Sequence, residues 1–376
     1  MRVLYIIDEL ARGGAETLAL DFIKNAGAYD LDIEFVSLTG GELLEDFREA
    51  SQDSFVLIKR KSAIDIFAIL RLRKLIKDRK IEIIHTHEAV GGLYAYLAAL
   101  GLGIPLVQTH HGFNTAYKKD NRVTKFLINR FDANIVVSRG FLERLRAESE
   151  FDLSKNFHVV YNGIDRKKIS IQQSTIRHEL KIPDGSVLLV MVGNFSEGKD
   201  QITICKALKT VFLQNSNIYM AFVGGISNAS PQLYDECQCY CRENALLENI
   251  FFLGRRSDIP NILSGSDIFI FSSLVDTFGI ALIEAMFLKK PCISSDIDPV
   301  KEITDNGKIC VLYKKNDAAD LASKILSLSK DTHEMSRLGK LSYDWVKKRY
   351  DISQHIGSLR KIYCMLLEQR KTETLH

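Results

Sequence analysis

The chain contains no G-x-G-x-x-G run, and none of its cysteines has the C-x2-C spacing of a zinc site. The first absence disfavours an NAD-dependent oxidoreductase, because the dinucleotide fingerprint needs those glycines to bring backbone against a pyrophosphate. Seven cysteines are present but scattered, and Cys237, Cys239 and Cys241 merely alternate. That pattern fits neither a metal knuckle nor a disulfide framework, so reduced thiols in a cytoplasmic protein are expected and no metal is assigned. A secretory leader is not expected either, since Asp8 and Glu9 interrupt the apolar segment Val3 to Ile7 that follows Arg2. Net charge is only +3, and no nucleic-acid partner is expected. Ala89 to Val107 is uncharged for nineteen residues, about a membrane span. Its glycines, with Pro105, read instead as a buried helix, a turn and a strand.

What is present is enough apolar material for two full cores: 376 residues, 46% hydrophobic and 26% charged. Short apolar runs read as strands at Met1 to Ile7, Asp32 to Leu38, Ile81 to His85, Pro105 to Thr109, Ala133 to Val137 and His158 to Tyr161. A second set follows at Val187 to Val192, Tyr219 to Val223, Ile250 to Leu253, Asp267 to Phe271, Cys292 to Ser294 and Cys310 to Leu312. Helical stretches lie between most of them, and such alternation means parallel sheets with helices on both faces. The turn Asn162-Gly-Ile-Asp165 and the polar segment after it divide the chain into domains 1–168 and 169–349. A last helix, about 350–376, carries an apolar stripe of Ile356, Leu359, Ile362, Tyr363, Leu366 and Leu367.

Charge is unevenly spread. Lys59 to Lys80 holds nine basic residues against Asp65 and Asp78, and Lys118 to Arg130 holds five against Asp120. A helix over 62–80 places Ile66, Ile69, Leu70 and Ile76 on one side and its basic residues mostly on another. Its basic side reads either as a solvated face or as a patch that attracts anionic lipid.

Phe269 to Glu302 is the stretch on which the rest converges. Asp267-Ile-Phe-Ile-Phe271 ends at Ser272 and Ser273, the chain turns through Asp276-Thr-Phe-Gly279, and Ile280 to Leu288 is a strong helix former. A strand end feeding a helix start aims unpaired N–H groups over a crevice, where phosphate prefers to sit. Asp276 and Glu284, eight residues apart, can face one ligand there. This pattern resembles the Glu-x7-Glu motif of family-4 retaining glycosyltransferases. The likeness continues through Phe278-Gly279, Glu284-Ala285-Met286, Lys290-Pro291 and Glu302, with Asp276 one methylene shorter than the family's first Glu.

The resemblance implies the GT-B architecture, two Rossmann-like parallel-sheet domains facing across a cleft, with the C-terminal helix returning to the first. It implies that Lys199, in Val192-Gly-Asn-Phe-Ser-Glu-Gly-Lys-Asp200, stabilises a departing diphosphate, and that Glu284 accepts from the ribose hydroxyls. The amides of Phe278, Gly279 and Ile280 would meet phosphate, and Gly13 and Gly14 would approach the donor diphosphate or the acceptor. Asn194 stands where the family has Arg. Another basic residue is then needed unless Lys199 and the helix amides suffice, and Arg255 and Arg256 follow next in motif order. Arg256 is alternatively a base contact through its backbone. His85-Thr-His87 and His110-His-Gly112 match the family's His-x-His and His-Gly loops, which puts His111, with His110 as alternate, near the donor sugar. Asp296-Ile-Asp298 has the form of a metal motif but reads as a loop.

The implied function is retaining transfer of a hexose or N-acetylhexosamine from a nucleotide diphosphate sugar, UDP-sugar favoured, to a lipid-linked saccharide acceptor in surface polysaccharide synthesis. No cofactor is implied. The protein would be cytoplasmic, with peripheral contact to an anionic membrane. Two alternatives remain: a catalytically degenerate nucleotide-sugar-binding subunit, or a nucleotide-sugar epimerase of the same fold.

Overall fold

The structure, a computed structural model, describes residues 1–11, 13–112, 122–148 and 156–374. Arg12 and part of the second basic stretch, Lys118 to Asp120, lie outside them. The chain forms two compact units, Met1–Ile164 with Tyr350–His376 and Asp165–Arg349.

Unit 1 is built on seven parallel strands, β1 (Arg2–Glu9), β2 (Asp32–Gly40), β3 (Phe55–Leu57), β4 (Ile83–His87), β5 (Leu106–His110), β6 (Ala133–Val136) and β7 (Phe157–Val159), in the order β3-β2-β1-β4-β5-β6-β7. Val3, Tyr5 and Ile7 of β1 pack into one core layer while Leu4 and Ile6 pack into the other. Both faces are covered, so the strand reads as a continuous apolar run instead of alternating. β3, a three-residue strand at the sheet's edge paired with β2, adds to the strands read from the sequence.

One layer holds Leu18 and Phe22 of the helix Gly14–Ala26 together with Ile356, Leu359, Ile362, Tyr363 and Leu366 of the helix Ile352–Thr374. The other holds Ala68, Leu72 and Ile76 of the helix Ile66–Asp78, with Tyr94, Ala95 and Ala98 of the helix Glu88–Ala99. The expected 62–80 helix is therefore shorter and differently phased. Asp65 caps it by accepting from the Ala68 amide at 3.1 Å, and Tyr94 Oη accepts the Asp65 N–H at 2.8 Å. This pinning turns Ala68, Leu72 and Ile76 inward and leaves Ile66 and Leu70, expected on the buried side, in solvent. The uncharged stretch resolves into the helix Glu88–Ala99, a turn and β5. No helix among the described residues is long and apolar enough to cross a membrane.

Unit 2 repeats the plan with six parallel strands, β8 (Val187–Val192), β9 (Ile218–Val223), β10 (Ile250–Phe252), β11 (Ile268–Phe271), β12 (Cys292–Ser295) and β13 (Val311–Tyr313), in the order β10-β9-β8-β11-β12-β13. Strand order reverses beside β1 in one sheet and beside β8 in the other. In sheets of this kind ligands bind beyond the carboxyl ends of the strands that flank the reversal.

The unit border falls at Ile164, not at 168, for a backbone reason. Ile164 donates its N–H to Tyr350 O at 2.8 Å and accepts from Ile352 N–H at 3.0 Å, which stitches the returning chain to the end of the first segment. Gly163 permits this, because a Cβ there would lie 2.6 Å from Ile352 Cα.

Candidate functional site

The reversal point of unit 2 lies between β8 and β11, and the Gly193–Asp200 loop and the Ser272–Gly279 turn leave the sheet there. Gly198 has φ +90, and its carbonyl accepts from Leu274 N–H at 2.8 Å and Val275 N–H at 3.3 Å, zipping loop to turn. Lys199 is thereby carried to the turn. Its Nζ donates to Asp276 Oδ2 at 2.6 Å and to Ser273 Oγ at 3.3 Å, and lies 4.7 Å from the centre of the Phe271 ring. The two motifs that the sequence singled out separately thus meet in one partly buried ion pair.

Asp276 points back onto its own turn. Oδ1 accepts from the Thr277 amide at 2.8 Å and the Phe278 amide at 3.2 Å. Burial alone would raise its pKa, but the Lys199 ammonium and the two amides outweigh that and hold it below the ordinary carboxylate range. The shorter side chain is what lets one carboxylate serve both. In consequence the Phe278 amide, expected to face phosphate, is engaged by Asp276. Gly279, left-handed at φ 96, then opens the helix Ile280–Phe287. The N–H groups of Gly279 and Ile280 are those that helix geometry leaves for a ligand. Glu284 sits half-buried in the next turn.

Two other expected donor contacts are reassigned. Asn194 spends Oδ1 on the Gly225 N–H at 2.8 Å, bracing the turn after β9. Arg256 is clamped: Nε and Nη2 donate to Asp258 at 2.8 Å each, and Nη1 and Nη2 to Glu179 at 2.5 and 3.0 Å. Those bonds raise its pKa further and occupy four of the five guanidinium N–H groups, which leaves its backbone as the freer contact for a ligand. Arg255 is the basic residue at this edge. It lies so close across Gly225 that a Cβ there would come 2.3 Å from Nε. Asp298 opens the helix Asp298–Ile303 in place of a loop, and Asp296 pairs with Lys301 at 3.3 Å. Among the described residues no group of three or more His, Cys, Asp or Glu is arranged to hold a metal ion.

In unit 1 the reversal point is flanked by β1 and β4. His85 Nδ1 meets Tyr363 Oη at 2.5 Å and Nε2 meets Thr109 Oγ1 at 2.7 Å, which ties the sheet to the last helix. His87 Nδ1 meets His111 Nε2 at 2.6 Å, with the rings stacked. Burial lowers the pKa of His87 well below the usual value and that of His111 to about 3, so the pair is neutral. His87 Nε2 is buried without a described hydrogen-bond partner. A buried orphan acceptor is less costly than a buried orphan N–H, so the favoured tautomer has His87 Nδ1–H donating to His111. His111 then carries its proton on Nδ1. His110, the alternate, turns to the other side of β5, where it donates to Asn134 Oδ1 at 3.0 Å, and its pKa falls to about 4 through burial.

Gly13 caps the helix Gly14–Ala26 in an extended conformation. Its missing side chain makes room for Glu16, whose Oε2 would lie 2.5 Å from a Cβ.

A family model described as Glycosyltransferase Family 4 matches residues 12–168, and one described as Glycosyl transferases group 1 matches residues 172–345. The chain is 24% identical over 373 residues to the Escherichia coli UDP-Gal:alpha-D-GlcNAc-diphosphoundecaprenol alpha-1,3-galactosyltransferase, covering 93% of each chain. It is also 24% identical over 375 residues to the Staphylococcus aureus capsular polysaccharide biosynthesis glycosyltransferase CapH, covering 96% of this chain and 98% of that protein. Anabaena HepE, solved in complex with UDP and glucose, shares the fold with a TM-score of 0.84 at 18% identity, covering 97% of this chain and 100% of HepE. The two matched models span both units, and the chain belongs to the family-4 glycosyltransferases of GT-B fold.

Proposed function

We propose that this glycosyltransferase moves a hexose or N-acetylhexosamine from a UDP-sugar to a lipid-linked saccharide acceptor, with retention at the anomeric carbon and without a metal ion or other cofactor. The observation that carries the reading is the Lys199 ammonium, 2.6 Å from Asp276 at the strand-order reversal of unit 2. The relatives support the substrate classes: the E. coli protein is named for a UDP-galactose donor and a diphosphoundecaprenol acceptor, and HepE was solved with UDP. With such a donor and acceptor the reaction belongs at the cytoplasmic face of a membrane.

Unit 2 is the donor side. Glu284 accepts from the ribose hydroxyls, being acceptor-only with two oxygens. The N–H groups of Gly279 and Ile280, with Lys199, hold the diphosphate. As the bond from the anomeric carbon to phosphate oxygen breaks, its electron pair stays on that oxygen, and Lys199 stabilises the charge more than in the ground state. The acceptor oxygen attacks from the same face. Its proton passes to the departing phosphate oxygen, so configuration is retained. Asp276, kept ionised, fixes the ammonium and has lone pairs left for a sugar hydroxyl. Unit 1 is the acceptor side, with His111 near the donor sugar and the incoming hydroxyl and the Gly13-Gly14 turn facing the acceptor.

Thermal denaturation with uridine, guanosine and adenosine diphosphates tests the donor assignment. Uridine diphosphate is expected to stabilise by about 2.7 kcal/mol at a hundredfold excess over Kd. Lys199→Ala and Glu284→Ala are expected to abolish most of the shift, and Lys199→Ala to lower kcat/KM about 10²- to 10³-fold. An equal shift in both variants sinks the assignment. Binding without transfer to a lipid-linked acceptor would identify a degenerate subunit, and release of free epimer would identify an epimerase.

A further inference from the structure

The outward face of the helix Ile66–Asp78 is apolar in its first turn, where a solvated helix carries charge. Ile66, Phe67 and Leu70 are 67%, 78% and 55% exposed, and Ile64 just before them is 59% exposed. The core takes Ala68, Leu72 and Ile76 from this helix. At 3.6 residues per turn Leu70 points nearly opposite to that stripe, so one helix bears two apolar faces. Further along, the outward face passes to Lys74 and Lys77, with Arg71 beside them. The region is unusual for the chain as a whole. Fourteen large hydrophobic side chains are exposed among the described residues, and eight of them lie between Ile64 and Phe126. The other six are spread singly through unit 2.

We propose that Ile64, Ile66, Phe67 and Leu70 insert into the interfacial layer of an anionic bilayer, with Lys74, Lys77 and Arg71 set against lipid phosphates. Charge complementarity selects this occupant. The segment from Lys59 to Lys80 carries nine basic residues and two acidic ones. Asp65 is committed to the helix cap, Asp78 forms an exposed pair with Lys74 of the kind worth little, and Arg60 and Arg79 pair with Asp8 and Glu34, so the positive excess rests on the remaining basic residues. An apolar tip followed by cations on one helix face is the pattern by which surface helices bind acidic membranes, where each cation adds to the attraction within a Debye length. Four side chains make a small patch beside the roughly 800 Å² per partner of a stable protein interface, which argues against a second copy. The proposed lipid-linked acceptor gives such contact a purpose, since the substrate then lies in the surface on which the enzyme rests. The binding experiment itself does not depend on the donor site.

The full chain is sedimented with vesicles of phosphatidylcholine alone and with vesicles containing about one third phosphatidylglycerol. Binding is expected on the acidic vesicles, tenfold or more weaker on the neutral ones, and declining as salt shortens the Debye length. Replacing Ile66, Phe67 and Leu70 together by Ser should weaken binding at least tenfold, and so should Lys74→Glu with Lys77→Glu. These side chains are exposed, so Tm and the uridine diphosphate shift should stay at wild-type values in the triple-serine variant. A wild-type chain that stays in the supernatant with acidic vesicles overturns the proposal, as does a serine variant that binds as well as wild type. A dimer that the serine variant dissolves, without vesicle binding, would assign the patch to a second copy and overturn it too. Absence of any nucleotide shift in the wild type would strike the donor reading and leave the vesicle result standing.

Discussion

Lys199 and Asp276 show how far single residues could be read from the chain. Each was recognisable from its motif and from the chemistry that a departing diphosphate demands. Their pairing was not, because it depends on the Gly198 carbonyl joining two loops that are remote in sequence. Arg256 shows the opposite case: its position in a motif suggested a ligand contact, while Glu179 and Asp258, which no local pattern links, consume its guanidinium. The histidines divide in the same way, with His110 the last residue of β5 and His111 just past it. His110 goes to Asn134 and His111 to His87. Arg255 lies across Gly225 beside the turn that Asn194 braces, and we propose it as the cation that Asn194 does not supply. Arg255→Met is expected to weaken uridine diphosphate binding about tenfold, the scale of one charge-assisted contact, and uridine monophosphate binding much less. Calorimetry on both ligands checks this, and equal losses would move Arg255 away from the diphosphate.

At the level of elements, most strands were legible because parallel strands buried on both faces leave dense apolar runs. The short edge strand β3 has only the four-residue run Phe55 to Ile58, half-buried through Leu57. The helix Ile66–Asp78 was visible, but its buried stripe was not, since several apolar residues compete and tertiary pinning at Asp65 and Tyr94 chooses among them. The helix Ile352–Thr374 depends on a contact that no periodicity reports. Gly163 meets Ile352 Cα and His355 Cβ, and His355 Nδ1 donates to Tyr161 O at 2.8 Å beside it. Gly163→Ala is expected to cost about 1 to 3 kcal/mol by overpacking and to raise hydrogen exchange in that helix first. Wild-type exchange in the variant would show that the backbone yields there.

Taken as a whole, the molecule has an acid sensitivity concentrated in unit 1. Burial lowers the pKa of His85, His87, His110, His111 and His355, to about 4 for His110 and His355 and about 3 for His111. Above pH 6.5 folded and unfolded chains alike hold these rings neutral, so they add no pH dependence. Below it the unfolded chain takes up protons that the folded one refuses. Stability therefore falls from pH 6.5 toward pH 4, with about 1.4 kcal/mol per pH unit for each fully buried ring that titrates only on unfolding. Melting curves should show a Tm that is level from pH 8 to 7 and declines below 6.5, and a Tm unchanged at pH 5 would refute the assignment. The layer formed by Gly14–Ala26 and Ile352–Thr374 carries another consequence. A ribosome makes the first 164 residues of unit 1 early, yet that part lacks its closing helix until Ile352–Thr374, downstream of all of unit 2, has been made. The continuous segment Asp165–Arg349 can mature while its elder neighbour waits. During that interval the uncovered side of β1 and its neighbours is available to chaperones or to misassembly, so a truncated message would yield a sound second unit attached to an unfinished first one.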